Sequence, residues 1–594
     1  MIVLGLNEEH NATAALLRDG QVVACASEER FTGVKNDNGY PKGAIDFVLN
    51  FAGVSPANID CVVYSTVEQD SIGLKVKRVT RWRIPDYIRE MYELWRPTLI
   101  EGKTSTFWED VQKDPRLGSL EGVHYDFGFL TRVPPSQWPK AFNDERRAVV
   151  HRHLGLPPER VGFVDHHTAH AYYAYHAAPI DRSRVTAVVT ADGWGDGCNA
   201  TVSVARDGRI EEVLRTSMCH IARIYRWVTL ILGMKPYEHE YKVMGLAPYA
   251  KPYVSEPAYE VFAETLAVDG LDFKWKTKPA DMYFYFKDQF ERRGVRFDGI
   301  AGGLQRWVEH LLATWIGNVM KHVGAEALVF SGGVAMNVKA NKVLAELPEV
   351  KDFFVAPSPG DESLSMGAAM YVSRGTDKLQ PLRDAYLGSA PTEQEVESAL
   401  SQFRAAERYQ VLRQPTPDQV AELWIAGKVI ARCAGRMEFG ARALGNRSIL
   451  CDPSHWDQVA IINEKIKGRD FWMPFTPSVL AERADDYFLN PKGLMAPFMT
   501  VCFESTPLAR RQLKAAMHPY DFTVRPQVVE ESVNPEYYAL IKAFERRTGI
   551  GAILNTSLNL HGKPIARTAF DALHTFENSG LDGLLLPGVL LLKK

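Results

Sequence analysis

The sequence has the composition of an ordinary globular protein and is too long for one domain. Its 594 residues are 46% hydrophobic and 24% charged, and the formal net charge is -3. A chain of this length is expected to form two or more domains, each with its own core. The small net charge excludes a general attraction to nucleic acid or anionic membranes, and no apolar run reaches the length of a bilayer span. We therefore expect neither nucleic acid nor membrane as a partner.

The cysteines indicate a reducing environment. Seven cysteines are scattered along the chain, and no two of them form a Cys-x-x-Cys pair. Zinc ribbons and disulfide frameworks depend on paired or regular cysteine spacing. The pattern therefore argues against both, and it predicts a cytoplasmic protein.

Two distant stretches share one pattern of strand, polar loop and hairpin. An apolar strand at residues 2–7 leads to a loop that contains His10, and a hairpin follows with Asp-Gly at its turn. A second strand, at residues 188–191, leads to a glycine-rich loop that begins at Asp192 and then to another hairpin. Two tripeptides of the first copy, Asn11-Ala12-Thr13 and Arg18-Asp19-Gly20, recur in register as Asn199-Ala200-Thr201 and Arg206-Asp207-Gly208. Six matched positions favour a duplication over chance similarity.

Duplicated units of this kind predict an α/β protein with an actin-like, sugar-kinase-like domain. In that fold two related halves face each other across a cleft, and the strand-to-hairpin loops point phosphate- and metal-binding groups into it. The fold alone gives no reaction. Between the two units, residues 75–145 are rich in tryptophan, arginine and tyrosine. This insertion either packs on itself or forms a wall of the substrate cleft.

A stretch with the character of a helix, residues 165–176, is rich in histidine. His166 and His170 are four residues apart, so on a helix they share one face, one turn apart. Two neutral imidazoles at that spacing can bind one metal ion. An exposed pair, or two core histidines hydrogen-bonded to backbone, would show the same spacing. The metal interpretation therefore needs further ligands.

Two later strand ends carry groups suited to such a cleft. The strand at residues 327–330 runs into Ser331-Gly332-Gly333, with Asn337 just beyond. Small residues after a strand let backbone amides approach a phosphate. The strand at residues 353–356 leads to Asp361, a carboxylate at the start of a helix. Asp361 is either a ligand or a plain helix N-cap.

The chemistry changes after a polar, proline-containing stretch at residues 374–388. We place a domain boundary there, with residues 1–378 in the first domain and residues 386–594 in the second. The second domain has a segment with three arginines and three glycines at residues 435–448. Further cationic and hydrogen-bonding side chains follow, and they are Lys465, Lys467, Arg469, Asn555 and Ser557. Cationic groups combined with close backbone approach predict a buried site for a phosphate-rich ligand rather than a basic surface.

Taken together, these motifs resemble the NodU/CmcH family of O-carbamoyltransferases over nearly the whole chain. The most specific matches are residues 27–31 with Lys35, 165–170, 242–249, 331–337, 436–450 and 555–559. The resemblance implies an N-terminal actin-like (ASKHA) duplicated domain, similar to threonylcarbamoyl-transferases, and a C-terminal YrdC-like α/β domain.

The resemblance also implies a reaction in two steps. The YrdC-like domain would convert carbamoyl phosphate and ATP, with Mg²⁺ accompanying the ATP, to carbamoyl-adenylate with release of pyrophosphate. The actin-like domain would pass the carbamoyl group to a hydroxyl of a small natural-product acceptor and release AMP. A bound divalent metal, typically Fe(II), belongs to this domain, and a homodimer is a further expectation. The sequence does not identify the acceptor.

Residue roles carried over by motif follow from the same resemblance. The metal ligands would be His166, His170, Asp192 and Asp361, and the ion would act as a Lewis acid. His10 would take the proton of the acceptor hydroxyl, with His167 as the rival. Residues expected to hold the adenylate in the first domain are Lys35, Gly332, Gly333 and Asn337. Residues expected to hold ATP and carbamoyl phosphate in the second are Arg442, Arg447, Lys467, Arg469, Asn555 and Ser557.

Two departures from the family pattern and two alternative functions accompany these expectations. Asn11 stands where many relatives have Asp, and Met473 lies in a segment where many have Arg, so another cation must compensate or carbamoyl phosphate binds differently.

One alternative is a tRNA-modifying threonylcarbamoyl transferase, which the net charge opposes. The other is a non-catalytic nucleotide sensor, which the retained histidines, carboxylates and arginines oppose.

Overall fold

The computed structural model describes residues 1–594, and the chain divides into two units after Pro381. The first unit comprises Met1–Thr32 and Asn36–Pro381, and the second comprises Gly33–Lys35 and Leu382–Lys594. The division lies inside the interval left between the two predicted domains. Residues 33–35 group with the second unit although they are far from it in sequence.

Two five-stranded sheets and one small hairpin form the strands of the first unit. These strands are β1 (Ile2–Asn7), β2 (Thr13–Arg18), β3 (Gln21–Ser27), β4 (Cys61–Tyr64), β5 (Val161–Phe163), β6 (Thr186–Gly195), β7 (Cys198–Arg206), β8 (Arg209–Thr216), β9 (Leu266–Asp269), β10 (Asp272–Trp275), β11 (Ala327–Ser331) and β12 (Asp352–Phe354).

The two large sheets have the same topology. Their strand orders are β3-β2-β1-β4-β5 and β8-β7-β6-β11-β12. In each, an antiparallel meander of three strands is extended by two parallel strands. The hairpin turns also match, because Asp19 and Gly20 have φ of 52° and 79°, and Asp207 and Gly208 have 49° and 79°. Asp-Gly tolerates these left-handed angles. The predicted duplication and the actin-like domain are confirmed.

The longer α-helices of the first unit lie around these sheets. They are α1 (Lys42–Ala52), α2 (Trp138–Leu154), α3 (His166–Ala177), α4 (Ile221–Ile231), α5 (Pro252–Ala263), α6 (Met282–Arg292), α7 (Phe297–Val323), α8 (Val338–Glu346) and α9 (Leu364–Ser373).

Helices α3 and α9 lie between the two sheets and bring the histidine-rich segment to the centre of the unit. Helix α9 packs on β1 and β2, helix α3 packs on β6 and β11, and the two helices pack on each other. The packing is close enough to require glycine. A Cβ on Gly5 would lie 1.9 Å from the Ser365 carbonyl oxygen, and one on Gly367 would lie 2.0 Å from that of Ala169.

The tryptophan- and arginine-rich insertion packs largely on itself. Trp82, Phe107 and Leu117 belong to one buried cluster, which also includes Trp227 of helix α4. The insertion thus has its own core and is anchored on a helix of the main fold.

The second unit is built on an eight-stranded mixed sheet with the order β13-β22-β21-β14-β15-β20-β16-β19. Its strands, with a separate pair β17 and β18, are β13 (Tyr409–Arg413), β14 (Ile430–Cys433), β15 (Arg447–Cys451), β16 (Thr476–Leu480), β17 (Phe503–Glu504), β18 (Thr523–Val524), β19 (Gln527–Val529), β20 (Ala552–Ser557), β21 (Gly583–Leu586) and β22 (Val589–Lys593). Its longer helices are α10 (Glu393–Gln402), α11 (Pro417–Ile425), α12 (Pro535–Thr548) and α13 (Ala569–Glu577). The predicted α/β class is confirmed for this unit too.

All seven cysteines are free thiols. No helix of the structure combines the length and apolarity needed to cross a bilayer.

Candidate functional site

Helix α3 carries the two histidines of the predicted pair into the core. Its first turn is fixed by Asp165, whose carboxylate accepts a hydrogen bond from the Thr168 amide at 2.8 Å and pairs with Arg215 at 2.9 Å. Asp165 is thus the N-cap that starts the helix. Both His166 and His170 are 0% exposed. The alternative of an exposed histidine pair is therefore wrong.

Two carboxylates from other elements meet the two imidazoles. One ligand atom from each of His166, His170, Asp192 and Asp361 lies within 4.8 Å of the others. His170 Nε2 is 3.5 Å from both Asp192 Oδ2 and Asp361 Oδ1, and His166 Nε2 is 3.9 Å from Asp361 Oδ1. Asp192 comes from β6 in the second repeat, and Asp361 from the start of the turn before α9.

The atoms that face the centre of this group have no partner in the protein. His166 Nε2, His170 Nε2 and Asp361 Oδ1 are buried without a hydrogen bond. Asp361 caps no helix through its side chain, so the plain N-cap interpretation is wrong. Because buried polar atoms are almost always satisfied, several orphaned atoms aimed at one point indicate a ligand site. Two imidazoles and two carboxylates fit a borderline divalent cation.

The outward atoms of the same groups are held by neighbours. Glu9 Oε2 lies 2.9 Å from His166 Nδ1, and the Ser331 hydroxyl lies 3.2 Å from His170 Nδ1. The backbone amides of Gly193 and Gly333 donate to the Asp192 carboxylate. Partners of this kind fix ring orientation and tautomer at metal sites.

Burial and close neighbouring charges shift the pKa values of the four cluster residues. Burial opposes the charged form of His166, but the carboxylates of Glu9, Asp361 and Asp192 outweigh it and raise its pKa to about 10. Burial and the charge of Asp192 raise the pKa of Asp361 to about 6. Burial also acts on Asp192, yet its contact with His170 and the charge of His166 hold its pKa far below the ordinary value. In the metal-free protein, protons thus occupy the positions that a cation would take.

Gly195 has no side chain, and the His166 ring occupies the space that a Cβ would need. A Cβ at this position would lie 2.2 Å from His166 Cγ. We expect Gly195→Ala to displace the ring, to reduce bound metal by at least about tenfold, as loss of an orienting partner does, and to lower the melting temperature. Metal analysis and thermal unfolding of the purified chain measure both effects. Gly193→Ala is the matched control, because its Cβ would meet nothing within 4 Å. Equal metal content in the two variants would contradict the argument.

The two candidate bases lie in different surroundings. His10 is partly exposed, and its Nε2 donates to the Tyr237 carbonyl at 2.6 Å, which leaves the lone pair on Nδ1. His167 is 0% exposed, with Nδ1 at 2.7 Å from the Thr190 hydroxyl. Burial and the neighbouring His166 and His170 hold the pKa of His167 well below its usual value. Only His10 is open to a substrate hydroxyl.

The predicted adenylate-binding residues of the first domain need correction. The amide of Gly332 donates to the Pro359 carbonyl at 2.8 Å and that of Gly333 to Asp192, so this turn orients a carboxylate instead of presenting free amides to a phosphate. Asn337 Oδ1 accepts from the Ala340 amide as a helix N-cap, and its Nδ2 donates to Gln305. Lys35 belongs to the second unit.

A group of cations gathers in the second unit. The Lys467 ammonium donates to Ser557 Oγ at 3.1 Å and to Asn559 Oδ1 at 2.6 Å, without any carboxylate. Burial and the charges of Arg469 and Lys35 lower the pKa of Lys467 well below its usual value. The structure thus brings Lys467, Ser557, Arg469 and Lys35 together.

Arg525 joins this group and was not foreseen. Burial and the charges of Arg442 and Arg469 lower the pKa of Arg525 well below the usual range. Its guanidinium makes no hydrogen bond or ion pair in the structure. Several cations gathered around a buried guanidinium that has no ion pair suit a polyanionic ligand. The sequence offered no signal for Arg525, since it stands alone between a short strand and Pro526.

Two of the predicted ligands have structural roles instead. The guanidinium of Arg447 is 0% exposed and donates to the carbonyls of Ser389, Ala434, Gly435, Asn446 and Arg567. Asn555 is 1% exposed, and its Nδ2 donates to Ala443, Ser478 and Gln527. The donor groups of both side chains form hydrogen bonds within the arginine- and glycine-rich loop and its supporting sheet. Neither residue can therefore donate to a phosphate.

The two departures from the family pattern are accommodated. Asn11 has φ of 57°, a left-handed angle that asparagine tolerates, and its Oδ1 is buried without a partner. Met473 is buried, at 6% exposure, and Arg525 adds a cation to the predicted set.

Glu9 is a second residue of the site that no sequence motif marks. It lies next to His10 in the loop of the first repeat, opposite Asp192 in the second. The repeat itself was the available signal, because equivalent loops of the two halves point into one cleft.

Comparison with known proteins identifies the family. The carbamoyltransferase N-terminus model matches residues 2–370, and the carbamoyltransferase C-terminus model matches residues 421–593. The chain belongs to the carbamoyltransferase family. The resemblance to NodU/CmcH-type enzymes is confirmed, and the protein is a carbamoyl-transferring enzyme.

Several relatives match this carbamoyltransferase over most of its length. Nodulation protein NolNO of Sinorhizobium fredii is 30% identical, over 98% of this chain and 79% of that protein. Nodulation protein NolO of Bradyrhizobium diazoefficiens is 32% identical, over 73% of this chain and 79% of that protein. Among solved structures, component A of (R)-2-hydroxyglutaryl-CoA dehydratase from Acidaminococcus fermentans matches at 15% identity and a TM-score of 0.30, over 62% of this chain and 97% of that one.

Proposed function

We propose that this carbamoyltransferase makes carbamoyl-adenylate from carbamoyl phosphate and ATP in its second unit and transfers the carbamoyl group to a hydroxyl of a small acceptor in its first. The observation that carries the proposal is the pair of complementary sites. The first unit has a four-ligand cluster beside an accessible histidine. The second brings several cations together, and of these Arg525 and Lys467 have no ion pair with a carboxylate, as suits two phosphate-bearing substrates.

In the second unit, Arg442, Arg469, Arg525, Lys467 and Lys35 would neutralise the phosphates of ATP and carbamoyl phosphate. Water would first cleave the O–P bond of carbamoyl phosphate, which releases inorganic phosphate and leaves carbamate. A carbamate oxygen would then attack the α-phosphorus of ATP, and the bond from that phosphorus to pyrophosphate would break. The residues that shape the loop, Arg447 and Asn555, keep Arg442 in place. Mg²⁺ would accompany the ATP as part of the substrate.

In the first unit, the acceptor hydroxyl oxygen would attack the carbamoyl carbon. The bond from that carbon to the oxygen of AMP breaks, and the hydroxyl proton passes to His10 Nδ1. The Tyr237 carbonyl holds the His10 ring in the tautomer that this transfer needs.

His166, His170, Asp192 and Asp361 would hold one divalent ion, with Glu9 and Ser331 fixing the two imidazoles. When bound, such an ion, Fe(II) being suited to the donor set, supplies Lewis-acid polarisation of the substrate's oxygens. The remaining work of the site belongs to the chain itself, which positions the acceptor and accepts its proton.

The experiment that tests the proposal follows both half-reactions in the full-length protein. Pyrophosphate release should require ATP and carbamoyl phosphate together, and AMP should appear in step with a carbamoylated hydroxyl compound. Pyrophosphate release without carbamoyl phosphate, or ADP as the nucleotide product, would contradict it.

The choice between the two candidate bases is tested by His10→Gln. We expect this change to slow carbamoyl transfer by roughly 10²- to 10⁴-fold, the usual share of a general base, and to leave pyrophosphate release unchanged. His167→Gln is the companion variant. It should lower the melting temperature, since His167 is buried against Thr190. Normal transfer by His10→Gln, together with a transfer-dead but folded His167→Gln, would assign the base to His167 instead.

A further inference from the structure

Two arginines of helix α4 have donor groups that the protein leaves unused. Arg223 and Arg226 are three residues apart, so they share one face of the helix. The Arg223 guanidinium lies 5.0 Å over the Trp194 ring and makes no hydrogen bond or ion pair. Arg226 donates one hydrogen bond, to the Tyr237 hydroxyl at 2.5 Å, while its Nε is buried without a partner.

The pair lies beside the proposed transfer site. Trp194 is in β6, two residues beyond Asp192. Tyr237, which Arg226 contacts through its hydroxyl, receives the His10 hydrogen bond through its carbonyl. Arg223 and Arg226 are both half-buried. They therefore occupy the space between the strand that carries a proposed metal ligand and the loop that holds the proposed base.

The nearby carboxylates do not neutralise this pair. Glu90 forms an ion pair with Arg78 at 2.6 Å, and Glu238 forms one with Lys235 at 2.9 Å. Glu9 is bound to His166. Glu240 accepts from the Tyr237 amide at 2.8 Å, and burial raises its pKa to about 7, so it is only partly charged at neutral pH. Burial and the charge of Arg226 lower the pKa of Arg223, which is consistent with two uncompensated cations.

We propose that Arg223 and Arg226 form a subsite for an anionic group of the acceptor, so that this carbamoyltransferase modifies a hydroxylated acid. The inference rests on the proposed function, since it assumes that the acceptor hydroxyl sits at His10. Guanidinium groups bind carboxylate, sulfate or phosphate esters through paired hydrogen bonds. The Trp194 side chain, 47% exposed, offers a flat apolar face for a ring of the same molecule.

The subsite would select among acceptors rather than take part in bond making. An acid whose charged group binds Arg223 and Arg226 would have its hydroxyl directed toward His10, as bidentate positioning allows. A neutral analogue with the same hydroxyl would leave two half-buried cations unsatisfied, which is costly. A cationic acceptor would in addition meet repulsion.

The test uses the full-length protein with ATP and carbamoyl phosphate labelled in the carbamoyl carbon. A small-molecule extract is separated by ion exchange into anionic, neutral and cationic fractions, and each fraction is offered as acceptor. We expect labelled product from the anionic fraction. Label confined to the neutral or cationic fractions would overturn the proposal. Pyrophosphate release, measured in the same reactions, reports separately on the proposed function, because its absence would mean that carbamoyl-adenylate formation itself had failed.

The single variant Arg223→Gln sharpens the test, because Arg223 makes no hydrogen bond or ion pair and the Tyr237–His10 hydrogen bond does not involve it. We expect it to raise the KM for the anionic acceptor by roughly 10- to 100-fold, the value of a charged hydrogen bond, with kcat little changed and pyrophosphate release unchanged. Arg223→Lys should restore part of the affinity. Arg209→Gln, at an exposed site on β8, is the control. An unchanged KM, or equal losses for anionic and neutral acceptors, would overturn the subsite.

Discussion

Replacing His166 with alanine is expected to abolish carbamoyl transfer while carbamoyl-adenylate still forms. The variant removes one of four groups that converge within 4.8 Å and leaves Glu9 without its partner. We expect bound metal to fall from one ion per chain to nearly none, and transfer to slow by at least roughly 10²-fold, the cost of losing one preorganised electrostatic group. Pyrophosphate release depends on the second unit and should persist.

Three measurements on the same preparation check this result: metal content, pyrophosphate release and carbamoylated product. His176→Gln is the matched control. His176 lies on the same helix and its Nε2 is likewise buried without a partner, but it is not part of the cluster. It should keep its metal and its transfer activity. If His166→Ala transferred carbamoyl groups at the normal rate, the metal-site assignment would be wrong.

The duplication shows what sequence can predict well. Asp-Gly at each hairpin turn, preceded at the same spacing by Asn-Ala-Thr, indicated two sheets of the same topology. The loops of the two copies then had to face one cleft. The repeat thus placed Asp192 in a loop that faces the cleft, and the family resemblance assigned it to the same site as the histidines of helix α3. Periodicity and turn chemistry are local, so they can be read from the chain.

Side-chain partners could not be predicted in the same way. Gly333, Asn337 and Arg447 have the residue types that bind phosphates, yet the protein's own carboxylates, amides and carbonyls occupy them. Arg525 has no motif around it, and only the folded chain brings it to Arg442 and Arg469. Whether a donor is free depends on contacts between residues far apart in sequence, which the pattern of types does not contain.

The second large effect is expected for Arg525→Gln. Pyrophosphate release should fall by roughly 10- to 100-fold at fixed substrate concentrations, because a charged hydrogen-bond donor to the substrates' phosphates is lost. Stability should not fall with it. Arg525 has no partner in the structure and is close enough to Arg442 and Arg469 for their charges to lower its pKa, so removing its charge relieves repulsion. We expect an unchanged or higher melting temperature.

Arg447→Gln is the natural comparison, since it changes the same residue type in the same unit. Its guanidinium serves five carbonyl oxygens, and each buried acceptor left without a donor costs about 1–3 kcal/mol. The melting temperature should therefore drop clearly, and any loss of activity should follow the loss of fold.

The opposite outcomes of the two variants separate binding residues from structural ones. A cation that destabilises the folded protein has its role in ligand binding. A cation that donates hydrogen bonds to the backbone has its role in stabilising the fold. Arg525→Gln would weigh against the polyanion site if it released pyrophosphate normally, or if it unfolded as readily as Arg447→Gln. Thermal unfolding in the presence of ATP adds a further check, since ATP should stabilise the wild-type chain more than the Arg525 variant through mass action.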